Sequence, residues 1–180
     1  MSAAESIASF GCSIKEADIG TQVLETCGRT PVDTYVSAVA GWKEDATQLA
    51  LRYARQGGSP GSAGAASCWG NAEPLPLELA ALCNGVASHA LDYDDVNLAM
   101  PGHPSVAILP GLMALAELRR SRGRDWVGAF VAGYETACRI GSAMRRGHYD
   151  LGFHATGTVG CFGAAAACAR LLGLDAEATA

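Results

Sequence analysis

The sequence predicts one all-α domain over residues 1–180. In most segments, apolar residues recur at the spacing of one helix face. No segment combines strict alternation of apolar and polar residues with the turn signals of a hairpin. Hydrophobic residues make up 49% and charged residues 17% of the chain, which is typical of a globular protein with a packed core.

The charge and cysteine content argue against several classes of protein. The net charge is −5 and the 13 lysine and arginine residues form no long basic run, so no nucleic-acid surface is expected. No membrane contact is expected either, because no apolar run approaches the roughly 20 residues of a membrane helix. The N-terminus lacks the basic region of a signal peptide. Seven cysteines without a CxxC motif indicate reduced thiols in a cytoplasmic protein.

The first part of the chain is expected to contain helices separated by loops. Residues 3–12 and 16–27 have the composition of two modest helices, and Gly28–Pro31 should break the second of them. A further helix should restart directly after this break. Glu44–Gln56 is predicted to be helical, and residues 57–71, GGSPGSAGAASCWGN, have the composition of a surface loop.

The helix expected from Leu77 to about Leu91 has two different faces. Pro74 and Pro76 should set up its start, since proline fits the first turn of a helix. One stripe is apolar and should face the core; it consists of Leu79, Leu82, Cys83, Val86 and Ala90. The other stripe is polar and should line a cavity; it consists of Asn84, Ser88, Asp92 and Asp95.

Two longer helices should follow this segment. His103 precedes Pro104, which favours extended geometry at His103 and suits the first position of a helix. The predicted helix from Ser105 to about Arg119 is apolar nearly all round, so we expect it to be central. Pro110 should kink it, because proline removes one backbone hydrogen bond. Asp125–Met144 is predicted to form the next helix.

The C-terminal part of the chain carries a second polar patch. Gly147–Gly160 has the sequence GHYDLGFHATGTVG and leads into an alanine-rich helix predicted from about Thr158 to Leu172. The small residues of that helix should permit close contact with another helix. Asp175 is expected to cap a further helix, so we expect the natural chain to continue past Ala180.

The segment between Ala80 and Pro110 has the highest concentration of candidate functional residues in the chain. Polar groups are costly to bury unless they are paired, so a concentration of them in apolar sequence indicates a functional site. Because His and Asp are suitable metal ligands, a metal-dependent all-α hydrolase is one alternative for this site. Six polar residues fall within fifteen positions, and all of them except Asn97 are candidate ligands in this alternative: His89, Asp92, Asp94, Asp95, Asn97 and His103.

Three motifs, NGVASHALDYDDV, PGHPS and GFHATGTVG, resemble those of the MmgE/PrpD family. The likeness runs from about Val32 onward, with the motifs in the same order. That family includes 2-methylcitrate dehydratase, cis-aconitate decarboxylase and iminodisuccinate epimerase. The resemblance implies an all-helical domain, of which this chain would be most, followed by a smaller α+β domain. It also implies a homodimer that works without a metal or organic cofactor.

The resemblance assigns Asp92, His103 and His154 to the substrate site. A catalytic lysine and an aromatic residue of the family would lie beyond Ala180. Members of the decarboxylase branch usually have threonine where this chain has Val96, and their spacing between the aspartate and the histidine is one residue shorter. Both departures argue against decarboxylation and leave dehydration of a 2-methylcitrate-like hydroxy acid as the first expectation.

The reactions of the family share a carbanion formed next to a carboxylate. Two groups that titrate near neutrality on either side of a small polycarboxylate would serve all of them, and histidine is the natural choice. His103 and His154 are the predicted acid/base pair, and the sequence leaves open which is the acid. Asp92 would orient an imidazole or hold a substrate hydroxyl.

The remaining polar residues divide into expected substrate contacts and structural residues. Substrate contacts are predicted for Ser105, Asn97, Thr156 and Thr158, together with backbone N–H groups after Pro104 that could bind an anion. Asp94 is predicted to be structural and to pair with another charged group. His89 is also predicted to be structural, with a hydrogen bond to Asp92 or to the backbone. His148 should be exposed. Two further alternatives stay open, namely an epimerase of the same family and an inactive fragment that only folds or dimerises.

Overall fold

The computed structural model describes residues 2–56, 65–144 and 147–180 of the chain. These residues confirm the all-α prediction, since regular structure is helical except for a pair of two-residue antiparallel strands, β1 (Ala65–Ala66) and β2 (Leu75–Pro76). A short 3₁₀ turn covers Glu16–Asp18. The helices are α1 (Ala3–Ser13), α2 (Thr21–Gly41), α3 (Asp45–Gln56), α4 (Leu77–His89), α5 (Pro104–Arg119), α6 (Gly123–Met144), α7 (Gly147–Asp150), α8 (Ala155–Thr158), α9 (Gly160–Leu172) and α10 (Ala176–Thr179).

Helix α2 corrects the predicted break at Gly28–Pro31. The helix passes through both residues without interruption. Its inner side buries Cys27, Thr30 and Thr34, and the Thr34 hydroxyl donates to the carbonyl of Thr30 at 3.1 Å. Helix propensity is a weak preference that packing routinely overrides, so the burial of this side outweighs the local cost of glycine and proline.

The predicted surface loop over residues 57–71 is only partly a loop. Residues 57–64 lie outside the described residues. Ala65 and Ala66 pair with Pro76 and Leu75, and Cys68 is buried, so this end of the segment belongs to the core.

The buried side of helix α4 includes residues of both predicted stripes, since Cys83 of the apolar stripe is fully buried. Leu82 is 43% exposed, whereas Asn84 and Ser88 are buried. The Asn84 side chain accepts a hydrogen bond from the backbone N–H of Trp69 at 2.8 Å and donates to the carbonyl of Ser67 at 3.0 Å. These bonds satisfy the buried amide, so this part of the polar stripe packs in the core and does not line a cavity.

Helix α5 is central, as predicted. Its buried residues contribute to two clusters on either side of it. Ile108, Leu109 and Leu112 pack with residues of α6 and α9, and Ala114 packs with residues of α3, α4 and the short strands. Pro110 lies inside α5 and is buried. The expected kink there stays a prediction.

Helices α6 and α9 approach each other until their backbones touch. A Cβ atom built on Gly133 would lie 2.5 Å from the carbonyl oxygen of Gly163 and 2.7 Å from Cβ of Ala167. A Cβ atom on Gly163 would lie 2.8 Å from the carbonyl oxygen of Gly133. The alanine-rich helix therefore makes the close contact that its small residues predict.

One stretch of the described chain is long and apolar enough, by length and composition, to cross a membrane. It runs over Ala155–Leu172 and is 44% buried. On this measure the expectation that no apolar run approaches such a length is wrong. Helix α9 packs against α5 and α6, and the core helix of a protein can meet the same criterion.

The contact between α6 and α9 predicts a large cost for one added methyl group. Gly133→Ala should lower the free energy of unfolding by about 1–3 kcal/mol, the range for overpacked cores. Gly28→Ala is a matched control inside α2, because nothing lies within 4 Å of the added Cβ. That control should raise stability by up to about 1 kcal/mol, since alanine is the better helix former. Urea unfolding followed by circular dichroism measures both, and equal effects would contradict the close contact.

Candidate functional site

The loop between α4 and α5 is held in a defined conformation. Helix α4 ends at His89, and the Asp92 N–H donates to the His89 carbonyl at 3.2 Å. Asp92 has a φ of 58°, the left-handed region that few residues other than glycine adopt. Further along, Asn97 and Gly102 exchange backbone hydrogen bonds of 3.0 and 3.4 Å. The chain then enters α5 with His103 as its N-terminal cap residue.

Asp95 anchors this loop to the helices on both sides of it. Its carboxylate accepts hydrogen bonds from the backbone N–H of Ser105 at 3.2 Å, the Ser105 hydroxyl at 2.7 Å and the Tyr134 hydroxyl at 3.1 Å. Asn97 donates to the Tyr134 oxygen at 3.2 Å. Burial raises the pKa of Asp95, and the bonds from Ser105 and Tyr134 oppose that rise. Burial also raises the pKa of Tyr134, which keeps this hydroxyl protonated as a donor.

The two histidines that flank this loop, His89 and His103, are in contact with two aspartates within it. The Asp94 side chain is fully buried, and its oxygens lie 3.0 and 3.2 Å from Nδ1 of His89. Nδ1 of His103 lies 3.2 Å from Oδ2 of Asp94, and Nε2 of the same ring lies 3.2 Å from Oδ1 of Asp92. Asp92 differs from Asp94 in that its side chain is 74% exposed. The His103 ring therefore lies between one buried and one exposed carboxylate.

His89 is more central than the sequence predicts. Its shortest polar contact is to Asp94 at 3.0 Å, and Asp92 is farther away at 3.9 Å. The His89 ring centre lies 4.7 Å from that of His103 and 6.3 Å from that of His154. His89 thus lies close to both predicted acid/base residues and adds a third imidazole to the site.

The site has two walls. The first is the loop between α4 and α5, and the second is the polar segment of residues 147–160 at and before the start of α9. His154 is exposed and occupies the N-cap position of α8, with its ring 5.5 Å from that of Tyr149. Thr156 accepts a hydrogen bond from the backbone N–H of His103 at 3.0 Å. This bond joins the PGHPS and GFHATGTVG motifs directly. The structure therefore brings Asp92, His103 and His154 into one region.

Thr158 and His148 hold the His154 segment together. The Thr158 hydroxyl donates to the carbonyl of His154 at 2.9 Å, and its oxygen lies 2.6 Å from Nε2 of His148. A hydroxyl has one proton, so His148 must be the donor of this second bond. His148 is half-buried and bonded, which corrects the expectation that it is exposed.

Two of the predicted substrate contacts are occupied by bonds within the protein. Ser105 is fully buried and its hydroxyl and N–H both donate to Asp95, so this N–H after Pro104 is not free for an anion. The Asn97 side chain donates to Tyr134 and accepts from the N–H of Ala99 at 2.7 Å. Ser105 and Asn97 therefore stabilise the loop through these bonds. Their contact with substrate stays a prediction.

The MmgE/PrpD N-terminal domain matches residues 5–180 of this chain. The chain belongs to the MmgE/PrpD family. The match covers both walls of the site and confirms the resemblance carried by the three motifs. It also agrees with the all-helical fold of the described residues.

Relatives of this MmgE/PrpD family member include proteins named as cis-aconitate decarboxylases. The human protein of that name is 34% identical over 177 residues, which cover 95% of this chain and 36% of the relative. The Aspergillus oryzae cis-aconitate decarboxylase-like protein oryM is 32% identical over 178 residues, 92% of this chain and 36% of the relative. The mouse protein is 37% identical over 113 residues, 59% of this chain and 23% of the relative. The chain thus spans about a third of the length of the first two relatives.

The half-buried Asp95 carboxylate predicts a pH-dependent contribution to stability. Because burial raises its pKa, the folded chain binds this proton more tightly than the unfolded chain. That contribution is fully present below the ordinary pKa of the carboxyl and is lost as the pH rises through the folded pKa. Relative to Asp95→Asn, the wild type should therefore gain stability as the pH falls from about 7 to about 4. Urea unfolding of both proteins across this range tests it, and a difference that grows with pH would contradict it.

Proposed function

We propose that this chain supplies most of one side of a lyase site acting on a small polycarboxylate, with His103 and His154 as its acid/base groups. The observation that carries the proposal is the contact between the PGHPS and GFHATGTVG motifs. The N–H of His103 donates to Thr156, and the His89 ring centre lies 4.7 Å from that of His103 and 6.3 Å from that of His154. Histidine titrates near neutral pH and can give or take a proton at a carbon next to a carboxylate.

Decarboxylation of a cis-aconitate-like substrate is the first reaction that we propose. The names of the human and Aspergillus oryzae relatives support it. In this reaction the bond to one carboxylate carbon breaks, carbon dioxide leaves, and the electron pair stays on the neighbouring carbon. One of the two histidines would then protonate that carbon. The other would hold the substrate in place.

Dehydration of a 2-methylcitrate-like hydroxy acid is the second reaction. Val96 supports it, because the decarboxylase branch usually has threonine there, and Val96 is 64% exposed beside the Asp95 anchor. One histidine would take the proton from carbon, and the other would protonate the leaving hydroxyl as the carbon–oxygen bond breaks. Epimerisation of an iminodisuccinate-like substrate needs the same two groups on opposite faces of the reacting carbon.

Thr156 is the best-placed of the predicted substrate contacts. Its oxygen accepts the N–H of His103, so its own proton remains available to a substrate carboxylate. Thr158 uses its proton on the His154 carbonyl, so its contribution would be to position that histidine. Asp92 is exposed beside Nε2 of His103 and could hold a substrate hydroxyl.

Several properties of the whole protein are part of this proposal. The site would be completed by residues beyond Ala180, in keeping with relatives about three times as long as this chain. A homodimer, a cytoplasmic location and independence of any cofactor also stay predictions. Light scattering of the purified protein would reveal a monomer if the predicted homodimer is wrong.

Turnover measurements test the assigned histidines. In a protein that continues past Ala180, His103→Ala and His154→Ala should each lower kcat by about 10²–10⁴-fold, the range for lost general acid–base catalysis. Leu98→Ala is a control in the same loop, 89% exposed, and should leave the rate unchanged. The substrates to compare are cis-aconitate, 2-methylcitrate and iminodisuccinate. A histidine variant that folds and keeps a near-normal rate would remove that residue from the mechanism.

The 180-residue chain itself should be assayed beside the full-length human relative. If the relative turns over cis-aconitate and this chain turns over none of the three substrates, the chain is not an enzyme by itself. That outcome would support the alternative of a fragment that only folds or dimerises.

A metal-dependent hydrolase is the alternative from another class, and one observation favours it. Ligand atoms of His89, Asp92, Asp94 and His103 all lie within 4.8 Å of one another. Imidazole and carboxylate groups at this separation suit a divalent cation. Elemental analysis of protein purified without chelators decides between the two. We expect less than one equivalent of zinc, manganese or magnesium, and a stoichiometric ion would overturn the metal-free lyase.

A further inference from the structure

We propose that Asp94 is the positioning residue of the acid/base machinery, holding His103 with Nδ1 toward itself so that Nε2 faces the substrate. This inference rests on the proposed function for its catalytic consequence. Its structural part, the orientation and tautomer of His103, stands on contacts alone. Asp94 would thereby take the orienting role that the sequence suggests for Asp92.

The burial of Asp94 requires partners that carry protons. Its side chain has no exposed surface, and a buried carboxylate is costly unless it is paired. Within residues 2–56, 65–144 and 147–180, the groups that pair with it are the imidazoles of His89 and His103. The carboxylate thus depends on two histidines, and one of them is a proposed catalytic residue.

The contacts of Asp94 favour protons on particular ring nitrogens. An ionised carboxylate only accepts hydrogen bonds, and a buried one depends on protein donors, whereas the exposed carboxylate of Asp92 can be solvated by water. The burial of Asp94 therefore favours a proton on each ring nitrogen that faces it. Both of those nitrogens are Nδ1, at 3.0 Å for His89 and 3.2 Å for His103. Proton transfer between His103 and a substrate would therefore take place at Nε2.

Exposure distinguishes the two ends of the His103 ring. Nε2 lies 3.2 Å from the exposed carboxylate of Asp92, whereas Nδ1 is buried. Asp92 lies on the open side, where a substrate group can reach both its carboxylate and Nε2. The Asp94 side is closed to solvent, so its role is to orient the ring.

The bond from His103 to Asp94 is close in distance but poorly aligned. Nδ1 lies 3.2 Å from Oδ2 of Asp94, yet this nitrogen makes no hydrogen bond of acceptable angle. Catalytic hydrogen bonds are often poorly aligned without substrate and tighten when it binds. His89 stabilises the other side of the same carboxylate, with both oxygens within 3.2 Å of its Nδ1.

Nitrogen-15 NMR of the histidine rings tests the inference on the 180-residue chain without any turnover. The wild-type His103 ring, observed in its neutral form, should be protonated at Nδ1. Asp94→Asn keeps the shape of the side chain but adds an N–H donor, so His103 should shift to the form protonated at Nε2 or to a mixture. Asp92→Asn is the matched control and should leave His103 protonated at Nδ1.

Kinetics of the longer protein supply the catalytic readout. Asp94→Asn should lower kcat by about 10²–10⁴-fold and change KM by less than about threefold, because the wrong tautomer of His103 prevents its proton transfer at Nε2 without removing substrate contacts. Circular dichroism would establish that the variant is folded.

Each outcome decides the proposal. A wild-type His103 protonated at Nε2 would overturn it, and this measurement needs no variant to fold. An unchanged tautomer and an unchanged kcat in Asp94→Asn would also overturn it. If the tautomer shifts as expected while the wild-type protein turns over none of the three substrates, the positioning by Asp94 stands and the proposed function fails.

Discussion

The three hydrogen bonds that Asp95 accepts determine the geometry of the loop between α4 and α5. They tie this residue to the first turn of α5 through Ser105 and to the middle of α6 through Tyr134. With Asp95 fixed on that side, Asp94 is directed toward His89 and His103. A carboxylate placed at the start of α5 is also favoured by the helix dipole. The arrangement of the histidines therefore depends on a neighbouring aspartate that contacts neither of them in the described bonds.

Packing between helices sets the position of the second wall. A Cβ atom on Gly160 would lie 2.4 Å from Cβ of Ala107, so the start of α9 touches the first turns of α5. The contact between Gly133 and Gly163 holds α9 against α6. These contacts leave little freedom for the segment around His154, which the bond from His103 to Thr156 fixes further. Small residues at the helix contacts thus have a direct effect on the distance between the two walls.

Much of the helical fold could be predicted from the sequence, because apolar periodicity and proline positions are local signals. The continuity of α2 could not, since it depends on the burial of Cys27 and Thr34 against other helices. The inward direction of Asn84 likewise depends on a partner segment at Ser67–Trp69. At the site, family resemblance predicted roles for Asp92, His103 and His154. Asp94 was assigned only to structural pairing, because the left-handed backbone at Asp92, which separates an exposed from a buried carboxylate, leaves no sequence signal.

The bond between His103 and Thr156 has a consequence for folding. It joins residues 53 positions apart, so the two walls meet only after a long stretch of chain has closed. Contacts of this kind form late compared with the helices themselves. An expanded intermediate that kept its helices would have the far-ultraviolet spectrum of the native state but no assembled site. A ligand that needs both walls would therefore bind and stabilise only the fully packed chain.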